Sequence, residues 1–281
     1  MRASILKSFK PDIIVEMLDM AVGFENWHKV LETADILYRC AQCIDEERRE
    51  YLIKGQPVPV HIHTERPMLY YYAYSLEMKG HAHHKLGNVE EARAYIAQYE
   101  AFEWTYTLDD AEKQVVREFK YKARVNRFAL EIGTGQMEHL KAYMDFLQDH
   151  PEERVKGLTT ILEAAVQYRW EIDEILHTFS DSIEGSTLLF NSDNNEYINN
   201  NHSLHPHHYD DYYYYYRRAM YEEWRGCPQE AVEYILQALR LAHELEMDRH
   251  FKQCTVQLES LREAATKGQL EQYRTLLRQI G

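Results

Sequence analysis

Gly80-His-Ala-His-His-Lys-Leu-Gly87-Asn-Val-Glu-Glu-Ala92-Arg-Ala-Tyr-Ile-Ala97 sets a small residue, a glycine seven positions on, and an alanine five further. A glycine there supports a turn between two helices. Small residues on either side let the two helices approach closely. The same offsets return in Ala219-Met-Tyr-Glu-Glu-Trp-Arg-Gly226-Cys-Pro-Gln-Glu-Ala231-Val-Glu-Tyr-Ile. Partial copies fit around Phe24-ENWHKVLETADIL, Gly135-QMEHLKAYMDFL, Arg169-WEIDEILHTF and Gly268-QLEQYRTLL. Corners at 25, 87, 135, 170, 226 and 268 are separated by steps of 62, 48, 35, 56 and 42 residues. A regular array of helical hairpins steps by about 34. The repeat is therefore degenerate, and its longest steps hold two visible inserts, Lys54-GQPVPVHIHTERP-Met68 and the stretch 186–211.

The rest of the chain agrees with an all-α reading. Only 11 Gly and 7 Pro occur in 281 residues, and no alternating strand pattern with regular turn dipeptides appears. Apolar residues recur at three and four, as in Ile13, Val15, Met17, Leu18 and Val22, and in Val232, Ile235, Leu236, Leu239 and Ala242. Pro11, Pro67, Pro151 and Pro228 stand where helices would begin, and a missing N–H costs nothing in a first turn. The expectation is an all-α solenoid of about six degenerate hairpins, with residues 1–281 forming one array. Lys+Arg is 32 against Asp+Glu 46, a net charge of −14, which argues against direct nucleic-acid contact by this chain or attraction to an anionic membrane. No apolar run approaches the roughly 18 to 20 residues a membrane span needs. Four cysteines make no disulfide framework, and MRASILKSFKPD has no secretory h-region, so a cytoplasmic location is expected.

The two clear units resemble the tetratricopeptide (TPR) repeat. The resemblance extends to WHKVLETADILYRCAQ, ERPMLYYYAYSLEMKGHAHHKLGNVEEAR, GLTTILEAAVQYRWEIDEIL and FKQCTVQLESLREAATKGQLEQYRTLLRQ. Together these are similar to the C-terminal part of bacterial transcriptional regulators that join a helix-turn-helix to a TPR-type array, the peptide-sensing regulators of Gram-positive bacteria. It covers the chain except Gly185 to Asp211. Ten residues precede Pro11, too few for a helix-turn-helix, so the expectation is the sensor half without its DNA reader.

Candidate chemistry is sparse. Cys40-Ala-Gln-Cys43 lies within a helical run and has no second CxxC or CxxH, so it reads as a buried, idle pair, with a redox or zinc pair as the alternative. Glu25/His28 and Glu174/His177 have ExxH spacing, which two further glutamates would have to complete for a di-iron site. In the stretch 186–211, His202, His205, His207, His208, Asp210 and Asp211 could trap a divalent cation. Its Asn-rich composition reads as a flexible insert. No Walker A, GxSxG, HExxH or dinucleotide glycine motif occurs, and no catalytic residue, metal site or cofactor is expected.

What remains is a binding surface. Projecting the repeat register onto the first helix of each hairpin selects Tyr74, Glu77, Met78, His81 and His84, then Lys122, Asn126 and Ala129, then Gln167, Tyr213, Arg217, Met220 and Glu223. For His81 and His84 a plain surface role is the competing reading. Asn126 ranks first, because Asn is a mediocre helix former placed mid-helix, and its amide can both donate to and accept from a peptide backbone. The expected function is a non-enzymatic sensor binding a short peptide or a protein partner in a concave groove. The alternative is a structural adaptor without a small ligand, and a metal-dependent enzyme using His/Glu clusters is the remote one. The reading allows a homodimer.

Overall fold

A computed structural model describes residues 10–59, 63–101, 108–179 and 207–278. Its helix corners share one backbone solution. At Glu25, Gly55, Gly87, Gly135, Gly226 and Glu246 the residue has positive φ, between 52° and 86°. At each, its N–H donates to the carbonyl three residues back and the next N–H to the carbonyl five back, as in Gly87 N to His84 O (3.0 Å) and Asn88 N to His83 O (2.9 Å). This is the Schellman closure, which satisfies carbonyls that a helix end otherwise leaves bare. At 25, 87, 226 and 246 the following residue's carbonyl already accepts from the next helix, as Asn88 O does from Ala92 N at 3.0 Å. One helix ends and the next starts within three residues.

The register read from sequence thus locates the corners at 25, 87, 135 and 226. The corner expected at 170 falls at Arg169, whose φ is 63°. The one expected at 268 is corrected. Gly268 lies in the first turn of a helix, and the chain bends earlier, through the 3-10 turn Arg262–Ala264.

The helices are α1 (Pro11–Gly23), α2 (Trp27–Ile53), α3 (Met68–Lys85), α4 (Val89–Glu100), α5 (Asp110–Gly133), α6 (Leu140–Asp149), α7 (Arg154–Tyr168), α8 (His207–Arg225), α9 (Pro228–Glu244), α10 (Asp248–Ser260) and α11 (Lys267–Arg278), with a further helical stretch at 173–179. No strand occurs among the described residues, so the protein is all-α there, and no described helix is long and apolar enough to cross a membrane. Pro11 and Pro228 open their helices, and Pro151 opens the 3-10 turn leading into α7. Pro67 stands one residue outside α3, as its cap. Residues 186–206 lie outside the described residues, whereas 207–211, read as the end of the insert, are the first turns of α8.

The 281 residues divide into two compact units, Met1–Leu130 and Glu131–Gly281. In the first, Ile14 and Leu18 of α1 pack with Val30, Leu37 and Cys40 of α2 and Tyr71 of α3. A second cluster joins Leu69, Ala73 and Leu76 of α3 to Ala92, Ile96 and Tyr99 of α4 and to Phe119 and Ala123 of α5. Gly80 sits at the α3–α4 contact. A Cβ placed there would lie 3.4 Å from the Tyr95 Cβ and 3.6 Å from the Ala92 carbonyl, the close approach its small size predicts. In the second unit α8 packs on both α7 and α9, and α9 on α10. Ala219 and Ala231, the small residues of the second clear repeat, are fully buried.

Candidate functional site

The corners at 25 and 87 make α1 and α3 the first helices of hairpins in the first unit, with α5 following them, and in the second unit the corner at 226 makes α8 the first helix of the α8–α9 hairpin. Some candidate side chains from these helices lie together, Lys122 with Glu77 and Gln167 with Arg217, Met220 and Glu223, whereas His81, Asn126 and Tyr213 meet residues outside the set.

In the first unit the seam joins α1 to α3 to α5. The Tyr74 hydroxyl donates to the Asp19 carboxylate, and the Tyr74 ring stacks on Tyr70 at 5.4 Å. Burial, with help from that carboxylate, pushes the Tyr74 phenol well above its ordinary range. Lys122 reaches Glu77 and Glu118, each at 3.3 Å, with its ammonium 4.8 Å from the centre of the Phe119 ring. Burial acts to lower the Lys122 pKa, but the two carboxylates override it and hold the ammonium above its usual value. Asn126 donates its amide Nδ2 to the hydroxyl of Tyr99 at 3.0 Å, and Tyr99 is only 1% exposed. His81 packs on Trp27, ring centres 5.2 Å apart, while Met78 packs against the first core cluster. His84 and Ala129 are half-buried. Asp19, Glu118 and Tyr99 are the partners that register alone does not supply.

In the second unit a cleft of about 500 Å³ opens between α7 and α8. Gln167, Arg217, Met220 and Glu223, all selected from sequence, line it, and Glu163, Val166, Arg169 and Trp224 complete it. Arg217 pairs with Glu163 at 2.5 Å. Glu223 accepts from the side-chain amide of Gln257 on α10 at 2.5 Å, and Gln167 donates to the Tyr168 hydroxyl at 3.1 Å. Arg169 lies over the Trp224 ring at 5.6 Å. Tyr213 stands apart from the cleft and meets His250 of α10, hydroxyl to Nε2 3.2 Å. Glu163 was open to discovery, since it lies four residues before Gln167 and so shares its helix face. Trp224, four residues after Met220 on α8, carries the same signal, whereas Arg169, at the corner, does not.

The chemistry-bearing motifs take modest places. Cys40 is fully buried, and burial, with Cys43 nearby, pushes its thiol up to about 11, so it stays protonated at neutral pH. Glu25 occupies a corner, and Glu174 and His177 are exposed. Among the described residues no three His, Cys, Asp or Glu side chains converge as metal ligands would. His202 and His205 lie outside the described residues, as do the side chains of His207 and His208. Compared with known proteins, the chain matches no family model, no curated protein and no solved structure.

Proposed function

We propose that this chain is a TPR-like helical-repeat module, non-enzymatic and cytoplasmic, that binds a short peptide or a peptide segment of a protein partner. It is the sensor part of a bacterial transcriptional regulator, as the sequence resemblance implies. The observation that carries the binding reading is the α7–α8 cleft. Val166, Met220 and Trp224 give it apolar surface, and Glu163, Gln167, Arg217 and Glu223 ring that surface with donors and acceptors of both signs. A peptide needs both kinds of contact, apolar area for side chains and amide or charged groups for its backbone and termini.

The seams differ in how readily they can exchange partners. Arg217 and Glu163 retain 36% and 49% of their side-chain exposure, so their pair is worth about 1 kcal/mol at most and a ligand group can replace it cheaply. Glu77, paired with Lys122, keeps only 10%, and stripping one partner from a buried pair costs several times more. The first unit's seam is therefore scaffold, and the second unit's cleft is the place for a ligand.

The test is selection from a random heptapeptide library against the full chain, followed by fluorescence polarisation with the recovered peptides. Arg217→Ala and Met220→Glu should each weaken binding about tenfold or more while leaving the melting temperature unchanged. A library that yields no peptide sensitive to either substitution refutes the proposal.

A further inference from the structure

A second cavity in the same unit shares no residue with the cleft. It is about 420 Å³ and lies where α9 faces α11, with the start of α8 as its end wall. Asp211 and Tyr215 line it from the side of α8 opposite Arg217 and Met220, as their spacing at 100° per residue requires. Tyr215, Leu236 and Leu241 are buried and form an apolar floor. Glu233, Gln237, Arg240 and Glu244 recur along one face of α9 as a polar wall. A further cavity of about 400 Å³ continues it through the shared residues Arg240 and Gln272, past Gly268 and Thr275 of α11. From Glu233 to Glu244 the wall rises about 16 Å, the length of about five residues of extended chain.

The groove's chemistry selects its occupant. Among the described residues, Asp211, Glu233 and Glu244 line the first cavity against Arg240, and Glu271, paired with Arg274, lines its continuation, so the walls favour a cationic partner. Gln237 and Gln272 each present an amide that donates and accepts, which matches a backbone whose own N–H and C=O groups are open. A helical partner would have satisfied those groups internally, so the amides point to extended chain. We propose that the α9–α11 groove is a second interaction site, taking an extended basic segment of a partner protein. Apolar residues of that segment seat on Tyr215, Leu236 and Leu241, and lysines or arginines between them reach Asp211, Glu233 and Glu244.

The probe is a fluorescein-labelled hexapeptide of alternating lysine and leucine, titrated against the full chain by fluorescence anisotropy at low and physiological salt. A glutamate–leucine counterpart is the opposite-charge control. Because the whole chain is acidic, two variants separate the groove from its general field. Glu233→Lys with Glu244→Lys should weaken binding about tenfold or more, while the same reversal at exposed Glu16 and Glu91 in the first unit should change it less than about twofold. Gly268 lines the second cavity and a Cβ there meets nothing within 4 Å, so Gly268→Leu alters no charge and adds bulk to that part of the groove without straining the fold. It too should cost about tenfold, with an unchanged or raised melting temperature. Several results would overturn the proposal: no binding, equal binding of the glutamate peptide, equal loss in the Glu16/Glu91 control, or indifference to Gly268→Leu. Self-association of the chain that Gly268→Leu abolishes would assign the groove to a second copy, and equally overturn it. None of these variants touches the α7–α8 cleft, so the two sites fail or succeed separately.

Discussion

Asn126→Ala separates a ligand-reading role from a structural one. If Asn126 only faces a ligand, its removal leaves stability untouched, or raises it slightly, since Ala is the better helix former by roughly 0.5 kcal/mol. The structure gives Asn126 an internal task, donating to the Tyr99 hydroxyl at 3.0 Å, and Tyr99 is 1% exposed. Stripping that donor leaves a buried oxygen short of a partner, a loss of about 1 to 3 kcal/mol. After the helix gain the net is about 1 kcal/mol, equivalent to a fall of roughly 3 °C in melting temperature for a chain of this size. Tyr99→Phe should cost a comparable amount, and the double variant should melt no more than about 1 °C below the worse single, because both changes delete the same bond. Circular dichroism melts of the four proteins make the cycle. Wild-type melting of Asn126→Ala, or fully additive losses in the double variant, would show that this bond does not hold α5 to α4.

Two further substitutions examine the corners and the packing. Glu246 is exposed and held at φ 54°, a region that disfavours any residue with a Cβ, so Glu246→Gly should raise stability by about 0.5 to 1 kcal/mol after the entropic cost of glycine. A melting temperature below wild type would contradict the corner geometry. Gly157 faces α6, and a Cβ built there falls 2.5 Å from Leu147 Cδ2 and 2.9 Å from the Tyr143 hydroxyl. Overpacking of about 1 to 3 kcal/mol should outweigh the roughly 1 kcal/mol helix gain of Gly157→Ala, seen as a lower melting temperature. A higher one would mean that Leu147 and Tyr143 yield freely.

The legible part of the fold is the part that glycine writes. Gly87, Gly135 and Gly226 mark corners because only a residue without Cβ adopts positive φ without strain. Glu25 was found through its flanking pattern. The corner at Glu246 carries neither signal, standing in Leu245-Glu246-Met247 amid good helix formers, so the sequence reads as continuous helix. Its closure depends on two backbone bonds, Glu246 N to His243 O at 3.1 Å and Met247 N to Ala242 O at 2.8 Å, which no side chain announces. That missed corner also displaced the last hairpin toward Gly268.

The same division runs through the candidate site. Register identifies which side chains of one helix face its neighbours, and so it selects Arg217, Met220 and Glu223 on α8 and, separately, Gln167 on α7. It does not give the height at which the neighbouring helix crosses, and that height decides the partners. Asp19 meets Tyr74, 55 residues on, and Lys122 meets Glu77 across 45. These pairs change what the first unit's residues can do. Lys122 and Asn126 look like ligand groups as long as their side chains are counted singly; once paired with Glu77 and Tyr99, they are part of what holds α3, α4 and α5 in place. Arg217, paired with the half-exposed Glu163, keeps a partner that a ligand group can replace at much lower cost.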